Sequence, residues 1–311
     1  MEFSHKPVML NECIEGLDIK PNGVYVDGTL GGAGHSKNIL SKLSSNGKLI
    51  GIDKDKEAIE HSKGVLAAIS NNFVIVHDDF KNIPHILKDL KINCVDGILL
   101  DLGVSSYQLD NYSRGFSYIG DGALDMRMNK EQAFSAFDVV NGYTYEKLAQ
   151  IIFEYGDERF SRKIARNIVD ARLKKPIETT GELVKLIEQA YPSKIKNKGG
   201  AVSKKTFQAI RIEVNAELDK LKECVENLIN CLKSKGRLCI ITFHSLEDRI
   251  VKNVFKEMST GCICPPHMPI CTCNHKAQVK LINRKVIVPS DEELEQNKRS
   301  HSAKLRIIEK L

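Results

Sequence analysis

The sequence predicts an α/β fold: a doubly wound, mostly parallel sheet interrupted by a helical insertion. Three observations lead there. Apolar strand-like runs alternate with helical segments over the first hundred residues. A glycine-rich turn, Gly28-Thr29-Leu30-Gly31-Gly32-Ala33-Gly34-His35, joins the first strand to the first helix after it. The alternation stops after Asp101, and a continuous apolar run, 238–243, resumes it well over a hundred residues later.

The strands of the first part are expected at 24–27, 48–53, 73–77 and 95–101, with helices over 36–43, 56–68 and 83–90. Residues 102–122 are rich in glycine, serine and tyrosine. A mostly helical stretch follows over 134–191. Within it, Thr179 with Glu182 three residues on reads as a capping box opening a helix over 182–190, which Pro192 closes. The lysine-rich segment 193–205 reads as a linker or binding loop. Phe207, Ile210, Val214, Leu218, Leu221, Val225, Leu228 and Leu232 recur at three- or four-residue steps, so one long amphipathic helix is expected from 206, stopped by Gly236. After the strand at 238–243 come a helix over 246–258 and late strands over 279–288 and 303–308. This divides the chain into a discontinuous α/β domain, 1–110 with 207–311, and an inserted helical domain, 111–206.

The chain has 311 residues, is 42% hydrophobic, lacks tryptophan and carries a formal net charge of +6. No window approaches the ~18 uninterrupted apolar residues of a membrane span, and no signal core follows the N-terminus, so a cytoplasmic protein is expected. Nine cysteines in a chain of this length do not suggest a disulfide scaffold. Cys13, Cys94, Cys224, Cys231 and Cys239 sit in apolar contexts and read as reduced core or surface residues. Residues 111–205 hold 17 Lys and Arg against 12 Asp and Glu, and the rest of the chain 29 against 28. The positive excess therefore lies in the middle of the chain, which suits either a phosphate-binding face or a solvated helical surface.

The glycine turn lets a backbone approach a nucleoside cofactor closely. Asp53, at the end of the second strand, can accept hydrogen bonds from a ribose diol. NAD, FAD and S-adenosylmethionine all fit so far. The spacing G-x-x-G-G-x-G and the acid Asp27 just before the turn favour S-adenosylmethionine, because an acid there would attract a sulfonium or amino group and repel a pyrophosphate. The competing reading of Asp27 is a loop cap.

The fourth strand continues Asp101-Leu102-Gly103-Val104-Ser105-Ser106-Tyr107-Gln108-Leu109-Asp110, then Arg114-Gly115-Phe116-Ser117 and Asp121-Gly122-Ala123-Leu124-Asp125-Met126-Arg127-Met128. This resembles the ribosomal RNA small-subunit methyltransferase H family, also called MraW. Collinear matches extend from His5-Lys6-Pro7-Val8 through Tyr155-Gly156-Asp157-Glu158-Arg159, the stretch from Thr206 to Ile212 and the stretch from Phe243 to Arg249, to Ser302-Ala303-Lys304-Leu305-Arg306. Ala123, Lys298 and His301 depart from the family pattern. The resemblance implies a class I (Rossmann-like) S-adenosylmethionine-dependent methyltransferase sheet with an inserted, mostly helical domain. It implies methylation of the exocyclic N4 of one cytidine in the decoding region of 16S rRNA, within the small ribosomal subunit. The family's cofactor contacts map onto Ala33, Gly34, His35, Asp53, Phe80, Asp101 and Gln108.

Cytosine N4 is a weak nucleophile, because its lone pair is delocalised into the ring; positioning and acceptors facing the developing charge must do much of the work. Asp101 is the candidate acceptor, with cofactor binding alone as its competing role, and Ser105 and Ser106 are candidate substrate contacts. Tyr107, Tyr112 and Phe116 are aromatics that can stack on a flipped base or fill a core. Arg159, Arg162, Lys163, Arg166 and Arg172 form a basic helix face opposite Phe160, Ile164 and Ile168, read as an rRNA phosphate contact or a solvated face. His244 follows the fifth strand and reads as a packed residue. Cys262, Cys264, Cys271 and Cys273 form C-x-C-x6-C-x-C, with His267 and His275 nearby; zinc in a tetrahedral thiolate site and a reduced cysteine-rich loop are both open. Other functions remain alternatives: a methyltransferase acting on another RNA or on DNA, and a non-catalytic rRNA-binding assembly factor. An NAD-dependent dehydrogenase is disfavoured by Asp27 and the glycine spacing.

Overall fold

The computed structural model describes residues 7–192, 202–262, 264, 272–273 and 275–311. The chain divides into two compact units, one made of residues 1–103 with 220–311 and the other of residues 104–219.

The first unit is built on seven strands: β1 (Val24–Asp27), β2 (Lys48–Asp53), β3 (Phe73–His77), β4 (Val95–Asp101), β5 (Leu232–Thr242), β6 (Val279–Leu281) and β7 (Lys304–Lys310). Their order is β3-β2-β1-β4-β5-β7-β6. β1 to β5 pair in parallel, and β7 is antiparallel to both of its neighbours. This is a class I methyltransferase sheet. The strand order reverses between β1 and β4, which is where open α/β sheets bind their ligands. Registers Asp27↔Gly51, Asp27↔Leu99, Asp53↔His77 and Asp101↔Ile241 put three aspartates at the carboxyl ends of β1, β2 and β4.

The four leading strands fall where the apolar runs placed them. An eight-residue helix, Leu10–Leu17, is an addition. Met9 and Asp18 at its ends are both left-handed, and Met9 makes no side-chain cap, so no sequence signal announces it. It buries Cys13 and Leu17 beside Tyr25, Leu99, Cys239 and Ile307.

The expected long helix after 206 is two helices, Lys204–Asn215 and Leu221–Asn230. Ala216 closes the first in the left-handed region at φ 48°, and Glu217 N–H reaches back to Ile212 O at 3.2 Å. That is a Schellman-type end with alanine where glycine is usual. Arg211 clamps the same turn by a fork on Glu217, with both bonds at 2.8 Å. The apolar stripe keeps its spacing across the break, so periodicity alone could not reveal it.

Gly236 does not end this helix; it lies inside β5. An added Cβ there would stand 2.9 Å from Lys233 O and 3.1 Å from Val95 O, so only glycine fits this irregular stretch of the β4–β5 ladder. The late strand expected over 279–288 pairs only over Val279–Leu281, followed by an isolated bridge between Ile287 and Leu305. Asp248, on the helix Ser245–Ser259, accepts a fork from Arg306 on β7 at 2.7 and 3.2 Å. Burial opposes ionisation there, yet Arg306 and Lys304 hold the Asp248 carboxyl below its ordinary value.

The second unit is helical: Ser106–Asp110, Ala136–Gly142, Tyr145–Gly156, Ser161–Arg172, Thr180–Ala190 and Lys204–Asn215. Thr179 and Glu182 form the capping box the sequence announced. Leu148, Ile152, Ile164, Ile168, Leu183, Ile187, Phe207 and Ile210 share one core. No described helix is long and apolar enough to cross a membrane. Cys13, Cys224 and Cys239 are buried thiols and Cys94 and Cys231 half-buried ones.

Candidate active site

The glycine turn is held in place by the two strands beside it, β4 and β2. Gly28 N–H bonds to Leu99 O at 2.9 Å, and Leu30 N–H to Ile52 O at 2.9 Å. Gly28 leaves no room for a side chain: a Cβ would lie 2.5 Å from Leu100 Cδ2 and 3.0 Å from Phe80 Cβ. Phe80 is thereby placed beside the turn, half-buried, at the start of a single 3-10 turn capped by Asp79. Ala33 is left-handed at φ 60° and fully buried, and Gly34 begins the helix Gly34–Leu40.

The three strand-end aspartates differ in what they hold. Asp27 is 1% exposed; it accepts from Thr29 N at 3.2 Å and from Ser36 Oγ at 2.7 Å. It is a loop cap that ties the turn to the following helix, which corrects the reading of Asp27 as an acid facing a cofactor. Burial raises its pKa, against these bonds.

Asp53 Oδ2 accepts from Gly31 N at 2.8 Å, and Oδ1 from Asp55 N at 2.9 Å. Each oxygen keeps a second lone pair for a hydroxyl donor. Burial pushes the Asp53 carboxyl up to about 6 in spite of those bonds.

Asp101 stands apart. Its backbone N–H is fixed by Thr29 Oγ1 at 2.6 Å. Its Oδ1 is buried and makes no hydrogen bond among the described residues. Burial first, then the charges of Asp27, Glu247 and Glu293, push this carboxyl up to about 8. His35 Nδ1 is 3.9 Å from Asp101 Oδ2, while its Nε2 donates to Val8 O at 2.9 Å. Burial pushes His35 down to about 4, so it is neutral at pH 7 and gives Asp101 no counter-charge. A buried carboxyl oxygen without a donor is a costly arrangement that a donor group from outside relieves.

The remaining candidates lie in the helical unit, at the start of the helix Ser245–Ser259, or beyond its end. Gln108 is 5% exposed and forms a reciprocal cap with Ser105: Ser105 N donates to Gln108 Oε1 at 3.0 Å, and Gln108 N to Ser105 Oγ at 3.3 Å. Ser106, half-buried, opens that short helix. Phe116 is core, which removes it from the stacking candidates, whereas Tyr112 is 47% exposed. His244 caps the helix Ser245–Ser259, its Nδ1 accepting from Glu247 N at 3.4 Å.

Arg159, Arg162, Lys163 and Arg166 are exposed, on or just before the helix Ser161–Arg172, and Arg166 lies 5.3 Å from the Tyr145 ring centre. Arg172 is not part of this face. It donates to Val140 O at 2.6 Å and to Tyr143 O, joining two helices.

One role escaped the sequence. Arg114 is 1% exposed and donates to Arg127 O and Met128 O at 3.0 and 3.1 Å. Asn215 bonds the same strap from the other side, through Met126 O and Met128 N, both at 2.8 Å. A buried arginine was readable only as one more basic residue.

Cys262, Cys264 and Cys273 bring their sulfurs together; Cys271 and His267 lie outside the described residues.

A family model described as the MraW methylase family matches residues 2–311. The chain is 58% identical over 311 residues to the Ribosomal RNA small subunit methyltransferase H of Clostridium botulinum, covering all of both chains. It is 54% identical to the proteins of the same name from Finegoldia magna and Clostridioides difficile, again over the whole of each. Matches of this extent and identity settle membership: the chain belongs to the MraW methylase family.

Proposed function

We propose that this protein transfers a methyl group from S-adenosylmethionine to the exocyclic N4 of one cytidine in the decoding region of 16S rRNA, and that it acts on the small ribosomal subunit in the cytoplasm. The observation that carries the substrate is end-to-end similarity to relatives named ribosomal RNA small subunit methyltransferase H. The observation that carries the site is the buried Oδ1 of Asp101 at the end of β4, which has no hydrogen-bond partner among the described residues.

The residues present suit the cofactor: a turn whose Gly28 has no room for a side chain, a carboxylate with lone pairs for a diol, and an aromatic beside the turn. When bound, S-adenosylmethionine supplies an electrophilic methyl group. Asp53 accepts from the ribose hydroxyls, held in position by the N–H groups of Gly31 and Asp55. Phe80 offers an apolar face to adenine. Ala33, Gly34 and His35 shape the wall, and neutral His35 adds no charge there. Gln108 stiffens the segment after Asp101 through its cap with Ser105.

An N–H of the target amine donates to Asp101 Oδ1 and so favours the carboxylate over the acid, which predominates below about pH 8 in the absence of substrate. This bond orients the N4 lone pair and opposes the positive charge that grows on nitrogen. N4 gains a methyl group and gives up one proton, which a carboxyl titrating near 8 can take and pass to water. Ser105 and Ser106 contact the cytidine. The helical unit recognises rRNA, with Arg159, Arg162 and Arg166 contacting phosphates.

The test offers labelled S-adenosylmethionine to free 16S rRNA, to 30S particles lacking the modification, and to DNA, and maps the product. Label at N4 of a single 16S cytidine is expected. Label only in DNA, or at a ring carbon, overturns the reading. Tight rRNA binding without transfer favours a non-catalytic assembly factor. Neutralising Arg159, Arg162 and Arg166 together should lower the slope of log affinity against log salt by about 2, at ~0.7 per phosphate contact on single-stranded RNA; an unchanged slope removes them from the interface.

A further inference from the structure

We propose that Cys262, Cys264 and Cys273 form a structural site for a thiolate-preferring divalent metal, zinc, which pins the connection between the helix Ser245–Ser259 and β6. It is independent of the methyl-transfer reading.

The connection leaves and returns along closely matched positions. Gln278 N–H bonds to Met258 O at 2.8 Å, and His275 Nδ1 meets Gly261 O at 2.9 Å. Further out, Cys262 Sγ is 3.8 Å from Cys273 Sγ, and Thr272 N–H points to Cys264 Sγ at 3.4 Å. The two arms therefore converge with the cysteines facing one another. All three sulfurs lie within 4.8 Å of one another.

That spacing matches metal geometry. With Zn–S near 2.3 Å, the edge of a tetrahedron of thiolates is about 3.8 Å. The Cys262–Cys273 separation equals that edge and is too long for an S–S bond. The backbone supports the charge as well: Cys264 N–H and Thr272 N–H both point at sulfur, each at 3.4 Å. Such donors stabilise thiolates, and outer-shell bonds of this kind orient metal ligands. Three cysteines on two facing arms would, with zinc bound, cross-link the base of the connection, as structural zinc sites do.

The test uses the full chain in reducing buffer, supplied with zinc and then freed of unbound metal. About one zinc per chain is expected, lost in Cys262→Ser and in Cys273→Ser, and retained in Cys94→Ser, whose sulfur lies elsewhere. Circular dichroism verifies that the variants fold. Cobalt(II) in place of zinc should give the sulfur-to-metal charge-transfer bands and intense visible bands of a tetrahedral site with three or four thiolates. Chelation should speed proteolysis between residues 259 and 278 in the parent and leave the two variants unchanged. Metal-free protein after zinc loading in reductant, retention of zinc by both variants, or isolation of these cysteines only as a disulfide overturns the proposal.

Discussion

Replacing Asp101 with asparagine keeps the shape of the side chain and removes its titration. In the parent, burial and three neighbouring carboxyls push Asp101 from 3.8 up to about 8. Between those values the folded state holds a proton that the unfolded state has released. Stability therefore falls as pH rises through that window. Each tenfold change in proton affinity on folding corresponds to ~1.4 kcal/mol, which caps the loss between pH 5 and 8 at about 4 kcal/mol. The side chain is 26% exposed, so solvent screens part of this, and about 2 kcal/mol is the working figure. The assay is urea or thermal unfolding of parent and Asp101→Asn, free of cofactor, at pH 5, 6, 7 and 8. The quantity of interest is variant stability minus parent stability, because any fixed cost of burying an amide cancels in its pH dependence. That difference should rise by about 2 kcal/mol from pH 5 to pH 8, or ~4–8 °C in Tm at 2–4 °C per kcal/mol for a unit of this size. The same variant should lose most methyl transfer, trading activity for stability. A difference flat with pH would show that Asp101 is an ordinary solvated carboxylate and would remove the argument for its role. If transfer falls only through weaker cofactor binding, Asp101 is a binding group and not the amine acceptor.

Three other perturbations probe separate parts of the molecule. Asp53→Asn should weaken S-adenosylmethionine binding ~10- to 100-fold by calorimetry, as expected for a lost charge-assisted bond of about 1.5–3 kcal/mol. Parent affinity should also fall as pH drops below about 6, where Asp53 takes up its proton, and the variant should lack that dependence. Arg114→Met should destabilise the helical unit by about 2–4 kcal/mol, because it strands the carbonyls of Arg127 and Met128; a parent-like urea midpoint and an intact 115–130 strap under protease would count against the clamp. Thr179→Ala should cost about 1 kcal/mol in the same unit, and Thr179→Ser should recover most of it, as a hydroxyl cap requires.

Much of the α/β framework was legible in the chain. The strands at 24–27, 48–53, 73–77 and 95–101 are short apolar runs bounded by acids and turn residues, and each signal is local. Thr179 with Glu182 is equally local. The strand-end positions of Asp27, Asp53 and Asp101 could be read for the same reason. Their different chemistry could not. Asp27 became a loop cap because Ser36 comes round from the next helix to meet it. Asp101 kept an unpartnered oxygen because no donor among the described residues folds onto it.

The sequence by itself determined the alternation of elements, the glycine turn, the family and the positive excess between residues 111 and 205. All of these depend on residue type and spacing along the chain. Tertiary structure decided the rest. It split one apolar stripe into two helices at Ala216, a left-handed alanine that a fork from Arg211 holds in place. It took Arg172 out of the basic face, and it made both Arg172 and the buried Arg114 clamps on carbonyl oxygens. It assigned Phe116 to a core and left Tyr112 exposed, and it drew Cys262 and Cys273 to 3.8 Å across an eleven-residue separation. The physical reason is common to these cases. A residue's type states what bonds it can make, but burial and partners decide which it does make, and both come from distant parts of the chain.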